Sequence, residues 1–445
     1  MKWRNSTIVL MVGLTAMMTA CSATQEAAPK STSPSGSQTA AGNEPTGELS
    51  FWGGAHLVSA AQAVMEDYAS KHPDLKVSYQ KFPYAEYPTK MKLQLSTNQG
   101  EPDIMIIHDF LGQQFIKSGW LMDLTGSFDT KDLLPGSLDA VTKDGKFYGI
   151  PNQANLGAFL YRKDIFDKLG LQAPKTMDEY LNAAQKLKEN GYFMGVLDPS
   201  EARNPFYRTL LQMGGTLFDP QGNVILNEPK GKGVEALNLV KKMVDGGYFA
   251  PVKDLSQEFW TQVNAGKIAG LLTVTSDAAN YAGSLDPQGK GGMGKWSYAQ
   301  PPKLAADGPV SFYHNSEYYV INKNTKNPEG AKALIKYLAM SDEAGKAFSE
   351  IDKPGLVVRM ANNYIPSLKK LTQDSVPWKA FGDQKLISEE AKVLVETAPK
   401  LAYTDERSPE ADRIMNVELA KFFKGGVSAE ATIKSISDQV KNIKH

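Results

Sequence analysis

The sequence predicts an α/β protein of two lobes, and three observations lead there. Short apolar strands alternate with amphipathic helical stretches from Glu48 onward. One of the strands, Asp103-Ile104-Met105-Ile106-Ile107, is apolar on both faces, as in a parallel sheet covered by helices. The folded part, about 400 residues from Glu48 to His445, is too long for one compact core.

Taken in order, Leu49-Ser50-Phe51-Trp52 reads as a strand stopped by Gly53-Gly54. The helix after it carries Val58, Ala61, Val64, Met65 and Tyr68 on one face. A second strand runs from Lys76 to Gln80, a helix from Tyr87 to Leu95, and the third strand stops at His108-Asp109. Thr176 followed by Glu179 forms a capping box ahead of Tyr180, Leu181, Ala184 and Leu187. Asn327-Pro328 sets a capping side chain before a proline in the first turn of a helix through Ala331, Leu334, Ile335 and Leu338. Ser408-Pro409 repeats that signal for a helix closing near Gly425-Gly426, and Ile433, Ile436, Val440 and Ile443 stripe the last one. Further strands fall at Phe159 to Tyr161, Ile268 to Val274, Trp296 to Ala299 and Tyr318 to Ile321. No repeat of fixed period occurs.

The first residues carry an address. Lys2 and Arg4 precede an apolar run from Thr7 to Ala20 that ends in small residues, which is the layout of a secretory signal over 1–20. The alternative is a membrane span, but crossing a bilayer takes about 20 apolar residues and this run is shorter. Thr19-Ala20-Cys21 resembles a bacterial lipobox, with Met18 where leucine is usual. That likeness implies diacylglyceryl on Cys21, the only cysteine; a free structural thiol is the alternative. Residues 21–47 are Ser, Thr, Ala, Gln, Pro and Gly with almost nothing large and apolar, so they read as a flexible tether with an end-to-end distance of roughly 25–30 Å. With 49 basic and 49 acidic residues the chain has no electrostatic footprint for nucleic acid, and the lipid alone would hold it to the membrane.

Catalytic motifs are missing. The sequence has no phosphate loop, no Gly-x-Ser-x-Gly elbow and no His-Glu-x-x-His helix, and its five histidines stand at no metal-ligand spacing. The reading is a binding protein rather than an enzyme, with no cofactor and no metal. In open α/β sheets ligands lie beyond the carboxyl ends of the strands. This brings Trp52, His108 and Asp109 to one rim, where an indole can stack on a sugar face and a carboxylate can take two hydroxyls. Equally, Trp52 can pack in the core and Asp109 can cap the next helix.

An ordered series of segments resembles one family: Glu48 to Trp52, "EPDIMIIHD", "SGWLMDLT", "DGKFYGIPNQANLGAFLYRKDIFDKLG", "NAGKIAG" and "VINKNTKNPEGAKALIKYLAMSDEAGKAF". Together they are similar to the extracellular solute-binding proteins of ABC importers, in the sugar-binding group that includes maltodextrin-binding protein. The resemblance implies a periplasmic-binding-protein-like fold of type II, each lobe a mostly parallel sheet flanked by helices, with several hinge crossings. One lobe would comprise 48–155 with 301–324, the other 156–300 with 325–445.

Carried over residue by residue, Trp52 and Asp109 match ligand positions, with His108 beside Asp109. Asn155 matches a polar contact, and Asn152 and Gln153 neighbour it on the hinge. Where the group usually has a tryptophan on the far lobe, this chain has Ser276 and Asp277; where Gly-Gly-Trp is common, it has Asn315-Ser316-Glu317 preceded by His314. Trp378 is the foremost of the remaining platforms, ahead of Trp120, Trp260 and Trp296.

Fewer aromatic platforms imply a mono- or short oligosaccharide rather than a long glucan. The rivals are a polyamine, held by Asp109, Asp277 and Glu317, and a surface enzyme acting on polysaccharide. The implied partners are a carbohydrate, the permease of an ABC importer, and the outer face of the cell membrane through the lipid, with the protein itself a monomer. Cys21→Ala should release the protein to the medium with its ligand affinity intact; fractionation followed by calorimetry checks both halves.

Overall fold

Five separate stretches of apolar chain meet in one sheet, and the order in which they arrive builds the two lobes. The computed structural model describes residues 45–445 other than 84–85, 98–99, 154, 286–289, 314–315, 350–362, 375–376, 398–402 and 444–445. The expected signal, Cys21, the tether up to residue 44, and His314 lie outside the described residues.

The chain lays down β1 (Gly47–Gly54), α1 (Ala55–Lys71), β2 (Leu75–Phe82), α2 (Tyr87–Thr97), β3 (Ile104–His108), α3 (Asp109–Lys117) and β4 (Gly149–Gln153). Beyond Gln153 it enters a second lobe with β5 (Gly157–Arg162), α4 (Met177–Glu189), α5 (Arg203–Gln212), β6 (Gly270–Val274), α6 (Thr275–Ser284) and β7 (Trp296–Ala299). It returns to the first lobe for β8 (Glu317–Ile321), α7 (Pro328–Met340) and α8 (Asp342–Ser349). Finally it gives the second lobe α9 (Ile365–Asp374), α10 (Leu386–Thr397), α11 (Ser408–Lys424) and α12 (Ala429–Lys441).

The first sheet has the order β2-β1-β3-β8-β4. β1 pairs in parallel with β2 and β3, while β8 runs against both β3 and β4. Helices cover both faces, which explains the doubly apolar third strand. Leu49, Phe51, Ile104 and Ile106 pack with α1 and α7, and Met105 and Ile107 pack with residues of α2 and α3.

The second sheet, β6-β5-β7, departs from the expected parallel arrangement, because β5 pairs antiparallel with both neighbours. Apolar residues on both faces report cover by helices and not strand direction. Phe159 faces one apolar cluster with α4, α5, α11 and α12, and Ala158 and Leu160 face another with α6, α9 and α10.

The lobe boundary also moves. Residues from 325 onward were expected in the second lobe, yet Ala331, Leu334, Ile335, Leu338, Ala344 and Phe348 share a core with Leu49 and Phe51. The helix start itself is as read: Asn327 Oδ1 accepts from Gly330 N at 3.1 Å. Its Nδ2 donates to Thr46 O at 2.7 Å, tying this helix to the entry of β1. A start signal shows where a helix begins, not which sheet its apolar face covers.

Leu338 is fully buried, and truncating such a leucine removes about 2–5 kcal/mol. Leu338→Ala should lower stability by that amount and weaken hydrogen-exchange protection in β1 and β8. Loss confined to β5 and β6 would return α7 to the second lobe.

Candidate functional site

Because β1, β2, β3 and β4 all run the same way, their carboxyl ends share one edge of the first sheet. There Glu317, the first residue of β8, stands opposite both His108 and Gln153. The pairing with β4 then slips, from Glu317 opposite Gln153 to Tyr318 opposite Pro151, so Asn152 bulges out of the ladder. Bulges re-aim side chains. Here Asn152 Nδ2 donates to Glu317 Oε2 at 3.0 Å.

Asp109 opens α3 at this edge and also clasps the returning chain. Its Oδ1 accepts from Phe110 N at 2.8 Å, its Oδ2 accepts from Ser316 N at 3.2 Å, and its own N–H donates to Ser316 O at 2.8 Å. His108 stacks on Phe110, with ring centroids 5.6 Å apart.

The facing edge is the junction of β6 and α6. Asn155, in the crossing between lobes, accepts from Ser276 N at 3.1 Å through its Oδ1, which also lies 3.2 Å from Thr275 Oγ1. Leu156 N donates to Thr275 Oγ1 at 3.1 Å, and Thr275 N donates to Leu156 O at 2.8 Å. The outgoing and returning crossings lie side by side through a bridge between Leu156 and Tyr313 and a 2.7 Å bond from Gly157 N to Phe312 O.

Between the lobes lies a pocket. Asp109 and Phe110 line it from the first lobe, and Arg203, Tyr207, Tyr313 and Asp412 line it from the second lobe and the crossing. Arg203 donates to Asp412 Oδ1 from two nitrogens, at 2.8 and 3.1 Å, and its guanidinium sits 4.5 Å from the centre of the Tyr207 ring. Burial pushes the Asp109 carboxyl from its ordinary 3.8 up to about 7, with the bonds from Phe110 and Ser316 and the Arg203 charge pulling the other way. Burial likewise raises Asp412, against the pull of Arg203.

The hydroxyls of Tyr313 and Tyr318 and the Oδ1 of Asn152 are buried and have no partner among the described residues. Buried polar atoms are seldom left unpaired. Of the three, Tyr313 lines the pocket. Among the described residues no group of three His, Cys, Asp or Glu side chains could hold a metal ion.

Several expected contacts stand elsewhere. Trp52 is not past the end of its strand, since β1 continues to Gly54 and Trp52 pairs with Gln80 and Met105. A Cβ on Gly53 would come within 2.4 Å of Ile106 Cγ2, so the glycine belongs to the sheet and does not end it. The Trp52 ring is half-buried and meets Phe82 edge-on at 5.6 Å.

Asp277 is committed to the interior of the second lobe. It takes the Thr273 hydroxyl and lies 3.2 Å from Arg208, which also reaches Asp254 at 3.4 Å. Burial, and then the neighbouring Asp277 charge, push Asp254 up to about 6 against the pull of Arg208. Trp378 is 1% exposed and packs with Phe381 in the second-lobe core, so it is no cleft platform. Trp296 is buried with its indole N–H on Gly291 O, Trp120 meets Phe115 edge-on, and Trp260 meets Phe259 and Tyr281 edge-on.

Sequence reasoning missed Arg203, Tyr207, Tyr313 and Asp412. One signal was available: Arg203 and Tyr207 are four apart and so share a helix face.

The sequence profile described as bacterial extracellular solute-binding protein matches residues 54–344. The arabinooligosaccharide-binding protein of Bacillus subtilis is 26% identical over 353 residues, 76% of each chain. The lactose-binding protein of Rhizobium radiobacter is 23% identical over 294 residues, 63% of this chain and 68% of that one. Among solved structures, the galacto-N-biose-/lacto-N-biose I-binding protein of the ABC transporter from Bifidobacterium longum, in complex with lacto-N-biose, superposes with a TM-score of 0.72. The two are 20% identical, over 90% of this chain and 98% of that one. The ABC transporter associated binding protein of B. animalis subsp. lactis, in complex with beta-1,6-galactobiose, gives 0.71 at 21% identity, over 89% and 97%. These structural likenesses are likenesses of fold.

The elevated Asp109 value has a consequence for stability. A carboxyl whose folded value is raised holds its proton more tightly in the folded state, so its contribution is full below the ordinary value of 3.8 and is lost as pH rises through about 7. Asp109→Asn should therefore gain stability on the unmodified protein steadily across that window, as read by urea unfolding at several pH values. A difference independent of pH would mean that the carboxyl is not buried as described.

Proposed function

The chain belongs to the bacterial extracellular solute-binding proteins, and we propose that it captures a mono- or short oligosaccharide between its lobes for the permease of an ABC importer. The observation that carries this reading is the interlobe pocket in which Asp109 of the first lobe and Arg203 of the second are near enough to act on each other's charge. A compact polyol suits such a pocket. Its neighbouring hydroxyls can donate to the carboxylate and accept from the guanidinium, and its C–H faces can lie on Tyr207 or Phe110. The sugars in the names of the relatives agree with this chemistry.

A polyamine is less well served. The fixed Arg203 cation lines the pocket, and Asp277, once a possible counter-charge, is matched by Arg208. The protein performs no chemistry on its ligand in this reading. It acts as a monomer on the outer face of the membrane, held there by lipid on Cys21 and a flexible tether. The pocket-lining residues Asp109, Arg203, Tyr207 and Tyr313, with Asn152, Asn155, Ser276 and Glu317 around them, form the proposed binding site.

Calorimetry against a panel of mono-, di- and trisaccharides, with putrescine and spermidine included, tests the proposal. A sugar should bind, and Asp109→Ala and Arg203→Ala should each weaken that binding by roughly 1–3 kcal/mol, the range for a lost buried hydrogen bond, with circular dichroism unchanged. Tight binding of a diamine and none of any sugar would overturn it, as would release of reducing ends from a polysaccharide by the purified protein.

A further inference from the structure

Glu390 on α10 is fully buried in the second lobe. Its Oε1 lies 2.8 Å from Thr275 Oγ1, and its Oε2 has no partner among the described residues. Thr275 is the residue that grips the interlobe crossing, through Leu156 N and Asn155 Oδ1. The amide of Asn155 is oriented by Ser276 N, which must find an oxygen there.

Counting protons exposes a conflict. The Thr275 oxygen already accepts from Leu156, and its single proton faces two acceptors, Asn155 Oδ1 and Glu390 Oε1. If Glu390 is neutral, its own O–H donates to Thr275 Oγ1, and Thr275 donates onward to Asn155, so both contacts of the Thr275 hydroxyl are hydrogen bonds. If Glu390 is ionised, it takes the Thr275 proton. Asn155 then keeps only the bond from Ser276, and a buried carboxylate is left with a bare oxygen.

We propose that Glu390 is a positioning residue of the interlobe crossing: protonated, it completes the chain Glu390–Thr275–Asn155 and fixes the segment that carries Asn152 and Asn155 to the cleft, and ionised, it releases Asn155. The relevance of this device to solute capture rests on the function proposed above.

The surroundings favour the neutral form. Burial pushes the Glu390 carboxyl from 4.5 up to about 8, opposed only by the Thr275 bond. The ionisable groups acting with it are the phenols of Tyr298 on β7 and Tyr313 in the returning crossing, both pushed well up by their own burial. Its neighbour Glu389 is occupied by Gln384 Nε2 at 2.9 Å. On α9, which packs against α10, Lys369 and Lys370 are exposed, and on α6 Asp277 is held by Arg208. No cation among the described residues is placed to stabilise the Glu390 charge.

The test is hydrogen exchange on the full-length, solute-free protein, following the amide of Ser276, whose acceptor Asn155 Oδ1 is held by Thr275 only while Glu390 is neutral, after correction for the intrinsic pH dependence. Protection should fall about tenfold between about pH 6 and about pH 9. In Glu390→Gln, whose amide N–H can donate to Thr275 as the neutral acid does, protection should stay at its acid-side level throughout. The same fall in both proteins, or weak protection in Glu390→Gln at every pH, would overturn the proposal. Thr275→Val supplies an independent arm: protection should be low and flat with pH, and a persisting pH dependence would equally overturn it. No sugar enters these measurements, so failure of carbohydrate binding and failure of the proton link are separate results.

Discussion

The geometry of the cleft depends on one short piece of paired backbone. Leu156 in the outgoing crossing is bridged to Tyr313 in the returning one, and the same Leu156 exchanges hydrogen bonds with Thr275 at the start of α6. Gly157 lets the two crossings come this close, since a Cβ there would meet the Phe312 ring at 2.4 Å. Close to this seam in the chain stand Asn152 and Gln153 on one side and Ser316, hydrogen-bonded to Asp109, on the other. Any change in the angle between the lobes is therefore transmitted to the residues that line the pocket, a geometry suited to closure about a hinge.

The pocket itself carries charge that is partly to largely buried. Asp109 and Asp412 are both raised by burial, and Arg203 is the only cation among the pocket-lining residues described. Buried charge is tolerable when paired and hydrogen-bonded, and Arg203 achieves this through its two hydrogen bonds to Asp412 and its place over Tyr207. Asp109 is satisfied differently, by backbone N–H groups of α3 and of the returning crossing. A solute that donates to Asp109 and accepts from Arg203 would complete both sets of bonds. Exposed ion pairs that span the same region, such as Lys117 with Glu406 at 2.8 Å, add little to stability by comparison.

Much of the fold was legible because its signals are local. The Thr176 cap and the Asn327-Pro328 start are present as read, although Glu179 reaches back to Lys175 N and does not close the box on Thr176, and Phe51, Ile104 and Ile106 are buried as their patterning requires. What was not legible depends on partners distant in the chain. Double-sided burial of Ala158, Phe159 and Leu160 could not reveal that both neighbours run antiparallel, and the apolar stripe of α7 could not reveal which sheet it covers. At the site, Asp109 was legible from its place after a buried strand. Arg203 and Asp412 were not, because they lie 209 residues apart and only the folded chain brings them together. Trp378 misled for the same reason: a tryptophan after proline looks like an exposed loop platform until the bridge to Gln384 turns its ring into the core.

The central claim, that a solute is enclosed between two lobes which move about the paired crossings, is tested most directly by small-angle scattering of the purified protein alone and saturated with whichever sugar the calorimetric panel identifies. The account predicts a smaller radius of gyration on saturation, and the same decrease for Asp109→Ala only at a higher concentration of the same sugar. Saturable sugar binding with an unchanged scattering profile would contradict it.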